Sequence, residues 1–285
     1  MAYQLNKILA NWVIPSGYLR LASKVRSGFT KSEKISAESL ALLEKNKQLL
    51  NRHTGKRCFI LGAGSSIAQQ DLKKLAGEHV ISVSNTFVHK DFSIIKPKYH
   101  VLPHLMHGHG RVYPQEKFVD WLSQMHEKTL DAEIVMHLGD KGLVDTNNLF
   151  PGRVIHWNEY TQWSGECQNE IDLAKVPSIW SVSELAITVA LYLGYEKIYL
   201  LGFDHDWFNG LFVYFYDHNT DHAIKPNKEN LDHVDAEFQM RRHAEMFKKY
   251  KCLYNMKANI YNANANPQHY LDVFPKVDFY SLFNQ

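Results

Sequence analysis

The chain has 285 residues, 45% of them hydrophobic and 22% charged, with a net charge of +2. That is enough to bury the core of one large α/β domain, and it excludes a nucleic-acid binder that neutralises many phosphates, which needs a basic excess. No run approaches the roughly 20 apolar residues of a membrane-spanning helix, and Asn6, Lys7 and Asn11 interrupt any signal-peptide core. Cys58, Cys167 and Cys252 lie far apart with no metal-ligand spacing, so a reducing, cytoplasmic compartment is the expectation.

Taken in order, Leu5, Ile8, Leu9, Trp12 and Val13 fall at helical spacing and are followed by Arg20, Lys24 and Arg26. Residues 1–26 therefore suit either a helix packed on protein or a peripheral contact with an anionic membrane's inner face. Lys34 to Asn51 predicts a helix, closing an N-terminal helical appendage over residues 1–55. Arg57 to Leu61 predicts the first strand, and Gly62-Ala63-Gly64-Ser65-Ser66 is a Gly-rich loop leading toward a short helix at Asp71 to Leu75. Glycines there admit a ligand closely, and N–H groups at a helix start favour phosphate. The third glycine of a dinucleotide fingerprint is missing, the second strand (Val80 to Val83) leads to Asn85 rather than an acid, and no Gly-Lys-Ser/Thr is present. NAD and a P-loop NTPase are thus excluded, and another nucleotide or phosphate is expected.

Lys98 to Leu102 predicts a third strand, followed by His104, His107 and His109 in a Gly-containing loop that suits substrate contact better than a transition metal. A helix over Phe118 to His126, a strand over Glu133 to His137, a polar loop over 140–152 and a strand over Arg153 to Trp157 follow. Residues 160–170, including Trp163, read as irregular and as acceptor-lining. A nearly uncharged helix at Ser183 to Leu193 feeds the strand Ile198 to Leu201, from which Gly202, Asp204, His205 and Asp206 emerge. Ligands in open α/β sheets gather at such carboxyl ends. Residues 207–234 then break pattern with an aromatic run, an Asn-Gly turn and a polar stretch, which is the composition of a lid insert. Ala236 to Tyr250 predicts a helix and Asn259 to Asn262 a last strand. The whole predicts an α/β fold with a Rossmann-like, mostly parallel sheet and helices on both faces. The core spans 56–206 and 235–285 around the insert.

Phe59 to Ser66, the helix and strand of Ser183 to Asp204 with Leu193-Gly-Tyr and Ile198-Tyr-Leu-Leu-Gly-Phe-Asp204, and Ile260 to Ala263 arrive in a recognisable order. Together they resemble the bacterial sialyltransferases of glycosyltransferase family 42. They also resemble the related motility-associated-factor and 6-hydroxymethylpterin diphosphokinase-like domains. The resemblance implies a glycosyltransferase-A-like variant of the fold and inverting transfer of a nonulosonate from a CMP donor to a glycan acceptor, with no cofactor required; membrane contact by residues 1–26 would make the acceptor lipid-linked. It implies that Ala63, Gly64 and Ser65 face the nucleotide, that Asn85 contacts ribose or base, and that Ser181 and Ser183 approach the donor sugar or cytidine. Gly202 and Asp204 match the family pattern, and Tyr214, with Tyr216 or Trp207 beside it, takes the phosphate. His233 becomes the base, with His222 and His218 as alternatives; histidine's pKa suits that role. His104, His107 and Trp163 are acceptor-side candidates.

Two departures keep alternatives open. Asp204-His205-Asp206 makes an Asp-x-Asp where the family has an aromatic, and paired carboxylates hold Mg²⁺ or Mn²⁺ on a diphosphate. An ATP-dependent diphosphokinase acting on a pterin-like hydroxymethyl compound, or a metal-dependent transferase using a nucleoside-diphosphate sugar, would use them. The Pro103-His104 loop also lacks the family's asparagine. Homo-oligomerisation is left open.

Overall fold

The computed structural model describes residues 36–105, 115–129, 131–205, 214–216, 236–256, 259–265 and 272–284. Two compact units divide at Leu40 and Ala41. Of the first, only residues 36–40 are described, and they belong to helix α1 (Ala37–Glu44). The second unit takes in residues 41–55, which were expected in the appendage. Leu43 and Leu49 are buried, Asn46 Nδ2 donates to the Trp157 carbonyl (2.6 Å), and the His53 N–H donates to the Leu193 carbonyl (2.8 Å).

The body is built on a seven-stranded sheet in which every pairing is parallel. In chain order its strands are β1 (Arg57–Leu61), β2 (Val80–Val83), β3 (Tyr99–Val101), β4 (Glu133–His137), β5 (Ile155–Asn158), β8 (Lys197–Leu201) and β9 (Asn259–Asn262). Their spatial order is β5-β4-β3-β2-β1-β8-β9. Both faces are covered, which is why the strands read as continuous apolar runs. Cys58, Ile60, Ile198, Leu200 and Ile260 face one core that includes α5 (Val182–Tyr192) and Met246 and Tyr250 of α6 (Ala236–Tyr254). Their alternates Phe59, Leu61, Tyr199 and Leu201 face Ile67, Leu72, Leu75 and Phe279 on the other side. The chain runs outward from β1 through β2 to β5, then crosses back through α5 to β8 on β1's other flank. The strand order therefore reverses between β1 and β8, and their carboxyl ends form the switch-point crevice where ligands bind in such sheets.

Several elements differ from expectation. The helix expected over 34–51 is α1 followed by a 3₁₀ segment, Lys45–Leu49. The helix α2 (Phe92–Ile95), before β3, was not expected, while the helix expected over Phe118 to His126 is present as the longer α3 (Gln115–Lys128). The polar loop expected over 140–152 contains α4 (Lys141–Thr146). Gly142, Asp145 and Thr146 are poor helix formers, but burial of Leu143 and Val144 against Trp157 and Leu149 overrides propensity. The irregular stretch after β5 carries a two-stranded parallel sheet, β6 (Tyr160–Thr161) with β7 (Val176–Pro177). Cys167 and Cys252 form a disulfide across a sequence separation of 85, tying this stretch to α6, while Cys58 is a buried thiol. That pairing departs from the reading of three unpaired cysteines, because distance along the chain says nothing of distance through the fold. Among the described residues no helix is long and apolar enough to cross a membrane.

Candidate functional site

The loops leaving β1 and β8 lie against each other, backbone on backbone. Gly62 N–H donates to the Leu201 carbonyl (2.7 Å) and Gly64 N–H to the Gly202 carbonyl (2.9 Å). A Cβ on Gly62 would stand 2.5 Å from the Gly202 oxygen, and one on Gly202 (φ +69°) would stand 2.6 Å from the Gly62 oxygen. These glycines are required by contact between the two loops, where the sequence suggested contact with a ligand.

Asp204 has a structural task in this crossing. It is buried, and its Oδ2 accepts from Ser66 N–H (2.9 Å) and Ser65 Oγ (3.5 Å), while its Oδ1 accepts from Ser66 Oγ (2.5 Å). Its carboxylate therefore sits at the start of the Ser65–Gln69 3₁₀ helix, where a phosphate would otherwise be received. A Cβ on Gly64 would be 2.5 Å from Asp204 Oδ2, so only glycine lets the carboxylate in. With both oxygens engaged, Asp204 is poorly placed to hold Mg²⁺ or Mn²⁺. Among the described residues no cluster of three metal-ligating side chains occurs. Asp206, its partner in the Asp-x-Asp reading, lies outside the described residues.

Across the crevice, Tyr214 forms an antiparallel bridge to Gly64, and Phe215 N–H donates to the Ala63 carbonyl (3.2 Å). Tyr214 and Tyr216 are two residues apart, and their rings stack with centroids 5.2 Å apart. The Tyr216 hydroxyl accepts from Asn85 Nδ2 (2.9 Å), and Asn85 Oδ1 accepts from Trp121 Nε1 (2.6 Å). Burial pushes the Tyr216 phenol's pKa up, so it stays a hydrogen-bond donor. Asn85 stands one turn past β2 in the Ser84–Val88 3₁₀ helix. The structure thus brings Ala63, Gly64, Ser65, Asn85, Tyr214 and Tyr216 together at one end of the sheet.

The third wall is the start of α5. Ser181 and Glu184 form a reciprocal capping box, with Glu184 Oε2 accepting from the N–H groups of Ser181 (2.8 Å) and Trp180 (2.7 Å). Ser183 Oγ donates to Ser181 Oγ (2.7 Å) and meets the Tyr250 hydroxyl at 2.5 Å, which in turn meets His205 Nε2 at 2.9 Å. This buried chain links α5, α6 and the end of β8. His205 holds a left-handed φ of +49°, and burial, with His243 and Arg242 nearby, pushes its pKa down to about 3. It is a neutral imidazole at working pH. Asn264, beyond β9, clamps Phe203 by accepting from its N–H (3.2 Å) and donating to its carbonyl (3.1 Å). The buried Glu184 also faces Lys249 Nζ at 3.3 Å, and its pKa is raised by burial against the pull of that ammonium.

The acceptor candidates separate. His104 lies beyond β3 beside His137, whereas Trp163, between β6 and β7, packs against α6 with Lys249 Nζ 5.0 Å from its ring. His107, Trp207, His218, His222 and His233 lie outside the described residues, as does the segment 1–26. A groove of about 540 Å³ between α2 and the end of α3, bordered by His89, Lys96 and Lys128, adjoins the segments entering β3 and β4 and holds none of these residues. The sequence reading passed over Trp121, Ser66 and Tyr250, each of which reads as core or loop by pattern. Only Ser181-x-x-Glu184 had a local signal, the capping-box spacing. No family model matches the chain, and no curated protein matches it either.

Proposed function

We propose that the chain is an inverting glycosyltransferase that moves a sugar from a nucleotide donor to a hydroxyl of a glycan or lipid-linked acceptor, with a CMP-activated nonulosonate as the favoured donor. The observation that carries this is the stacked Tyr214–Tyr216 pair bridged onto the loop after β1, with Tyr216 held to Asn85 at the switch point. Two aromatic faces suit a base or sugar, and phenol hydroxyls can stabilise a leaving phosphate without a cation. Asp204 already fills the anion position at the Ser65–Gln69 helix, which favours a monophosphate leaving group over a diphosphate needing that position or a metal on Asp204. The diphosphokinase and nucleoside-diphosphate-sugar readings lose support for the same reason. The resemblance to family 42 sialyltransferases points the same way.

Thermal shift of the full chain with CMP, UDP, GDP and ATP, each with Mg²⁺ and with EDTA, tests the proposal. Stabilisation by CMP that ignores EDTA is expected. Indifference to CMP alongside Mg²⁺-dependent stabilisation by ATP would overturn it.

A further inference from the structure

A second polar cluster stands at the carboxyl ends of β3, β4 and β5. His104 follows β3 and His137 closes β4, and their rings stack with centroids 3.8 Å apart and planes 15° from parallel. Each ring faces its own carboxylate. His104 Nε2 is 3.6 Å from Oδ1 of the fully buried Asp140, and His137 Nε2 is 3.2 Å from Glu159 Oε1. Gly139 N–H donates to His137 Nδ1 (3.0 Å), which places that ring's proton on Nε2, toward Glu159. Asp140 Oδ2 is fixed by Leu105 N–H (2.9 Å), and a Cβ on Gly139 would come within 2.7 Å of His104 Nε2. The Tyr160 ring rests on His137 at 4.4 Å, and its hydroxyl is buried.

Packing alone does not account for this arrangement. A carboxylate beside an imidazole stabilises the ring that has taken a proton, and Asp140 is so placed for His104. The cluster's position also fits a reaction beginning at the switch point. Val101 of β3 pairs with Val83 of β2, next to Asn85, and β3 lies two strands, roughly 10 Å at the usual strand spacing, from β1.

We propose that His104 is the base that takes the acceptor hydroxyl's proton, with Asp140 and His137 as positioning residues. This rests on the glycosyltransferase reading. The acceptor oxygen bonds to the donor's anomeric carbon, and the bond from that carbon to the phosphate oxygen breaks, leaving its electron pair on the nucleotide. The acceptor's proton passes to His104 Nδ1, while the Nε2 proton faces Asp140, whose charge stabilises the imidazolium. Asp140 faces His104, and Glu159 and Tyr160 face its stacked partner His137.

The test compares the full chain with His104→Gln, Asp140→Asn and His233→Ala, reading CMP release from a CMP-activated nonulosonate over a panel of methyl glycosides. Histidine Cε1 signals are followed through the same pH range. His104→Gln is expected to lower kcat by about 10²–10⁴-fold with the donor's KM held. Asp140→Asn is expected to move the acid limb of the kcat profile to lower pH in concert with a lower midpoint of the His104 signal, as a merely structural carboxylate would not. The imidazolium loses its counter-charge, so the neutral base is kept to lower pH and the limb shifts toward acid if the base must be neutral; a shift in the same direction as the His104 midpoint is the required result. Retention of kcat and of the pH profile by His104→Gln, with loss in His233→Ala, would overturn the assignment and leave the transferase reading intact. Failure of the wild type to turn over any nucleotide sugar would overturn both. Should His104→Gln not fold, unmoved His104 and His137 signals in the wild type on adding every glycoside would overturn the assignment alone.

Discussion

Replacing Asp204 by alanine removes the acceptor for three donors at the crossing of the β1 and β8 loops. Ser66 is 1% exposed, so its N–H and hydroxyl have no water to turn to. A stranded buried donor costs about 1–3 kcal/mol and a lost helix cap about 1 kcal/mol. Since the Ser66 N–H is counted in both, the expected destabilisation is about 3 kcal/mol, or roughly 6–12 °C in Tm for a body of this size. Asp204→Asn keeps one carbonyl acceptor and should cost about half as much. Urea denaturation of wild type, Asp204→Ala, Ser66→Ala and the double variant gives the coupling energy directly, and about 1–2 kcal/mol between the two sites is expected. A loss under 0.5 kcal/mol in Asp204→Ala, with the disappearance of a Mg²⁺-dependent stabilisation seen in the wild type, would refute the reasoning and return Asp204 to the metal.

Two further outcomes follow from the buried groups. His100 and His205 are fully enclosed, and burial pushes both pKa values down to about 3, below the roughly 6.5 of an unfolded histidine. Between those values the unfolded chain binds more protons, so stability falls as pH falls from about 6.5 toward 3, by about 1.4 kcal/mol per pH unit for each ring. His100→Gln should reduce the slope of stability against pH between 5 and 6 by about that amount, and an unchanged slope in denaturant titrations would contradict it. Reducing Cys167–Cys252 opens a link across 85 residues, worth roughly 4.6 kcal/mol by loop-closure entropy. A phosphine reductant should lower the denaturation midpoint of the wild type and leave Cys167→Ser unmoved; equal midpoints with and without reductant would count against the link.

The central strands were legible because their apolar runs are short and bounded by turns. Asn259–Asn262 falls where it was expected, and Ile198 to Leu201 extends by only one residue to Lys197. What pattern could not supply was the purpose of the groups at the strand ends. The Gly62-x-Gly64 spacing suggested a ligand, but the atoms a Cβ would strike belong to Gly202 and Asp204, which come from a strand far along the chain. Asp204 read as a binding group for the same reason, since a carboxylate at a strand's end carries no mark of the N–H groups it will meet. The stacked His104 and His137 come from different strands and share no motif. Their partner Asp140 lay in a stretch read as loop. Tyr250 fell on a helical apolar stripe and read as core, which it is, and its hydroxyl bonds to Ser183 and His205 appear only in three dimensions.

The claim on which the rest depends is that a nucleotide occupies the crevice between the carboxyl ends of β1 and β8. A crystal of the full chain soaked with CMP measures this most directly. The account predicts CMP density against Ser65, Asn85 and the Tyr214–Tyr216 pair, with its phosphate near the phenol hydroxyls and Asp204 still bound to Ser66. Density in the groove between α2 and α3, or a phosphate displacing Asp204 from the Ser65–Gln69 helix, would contradict it.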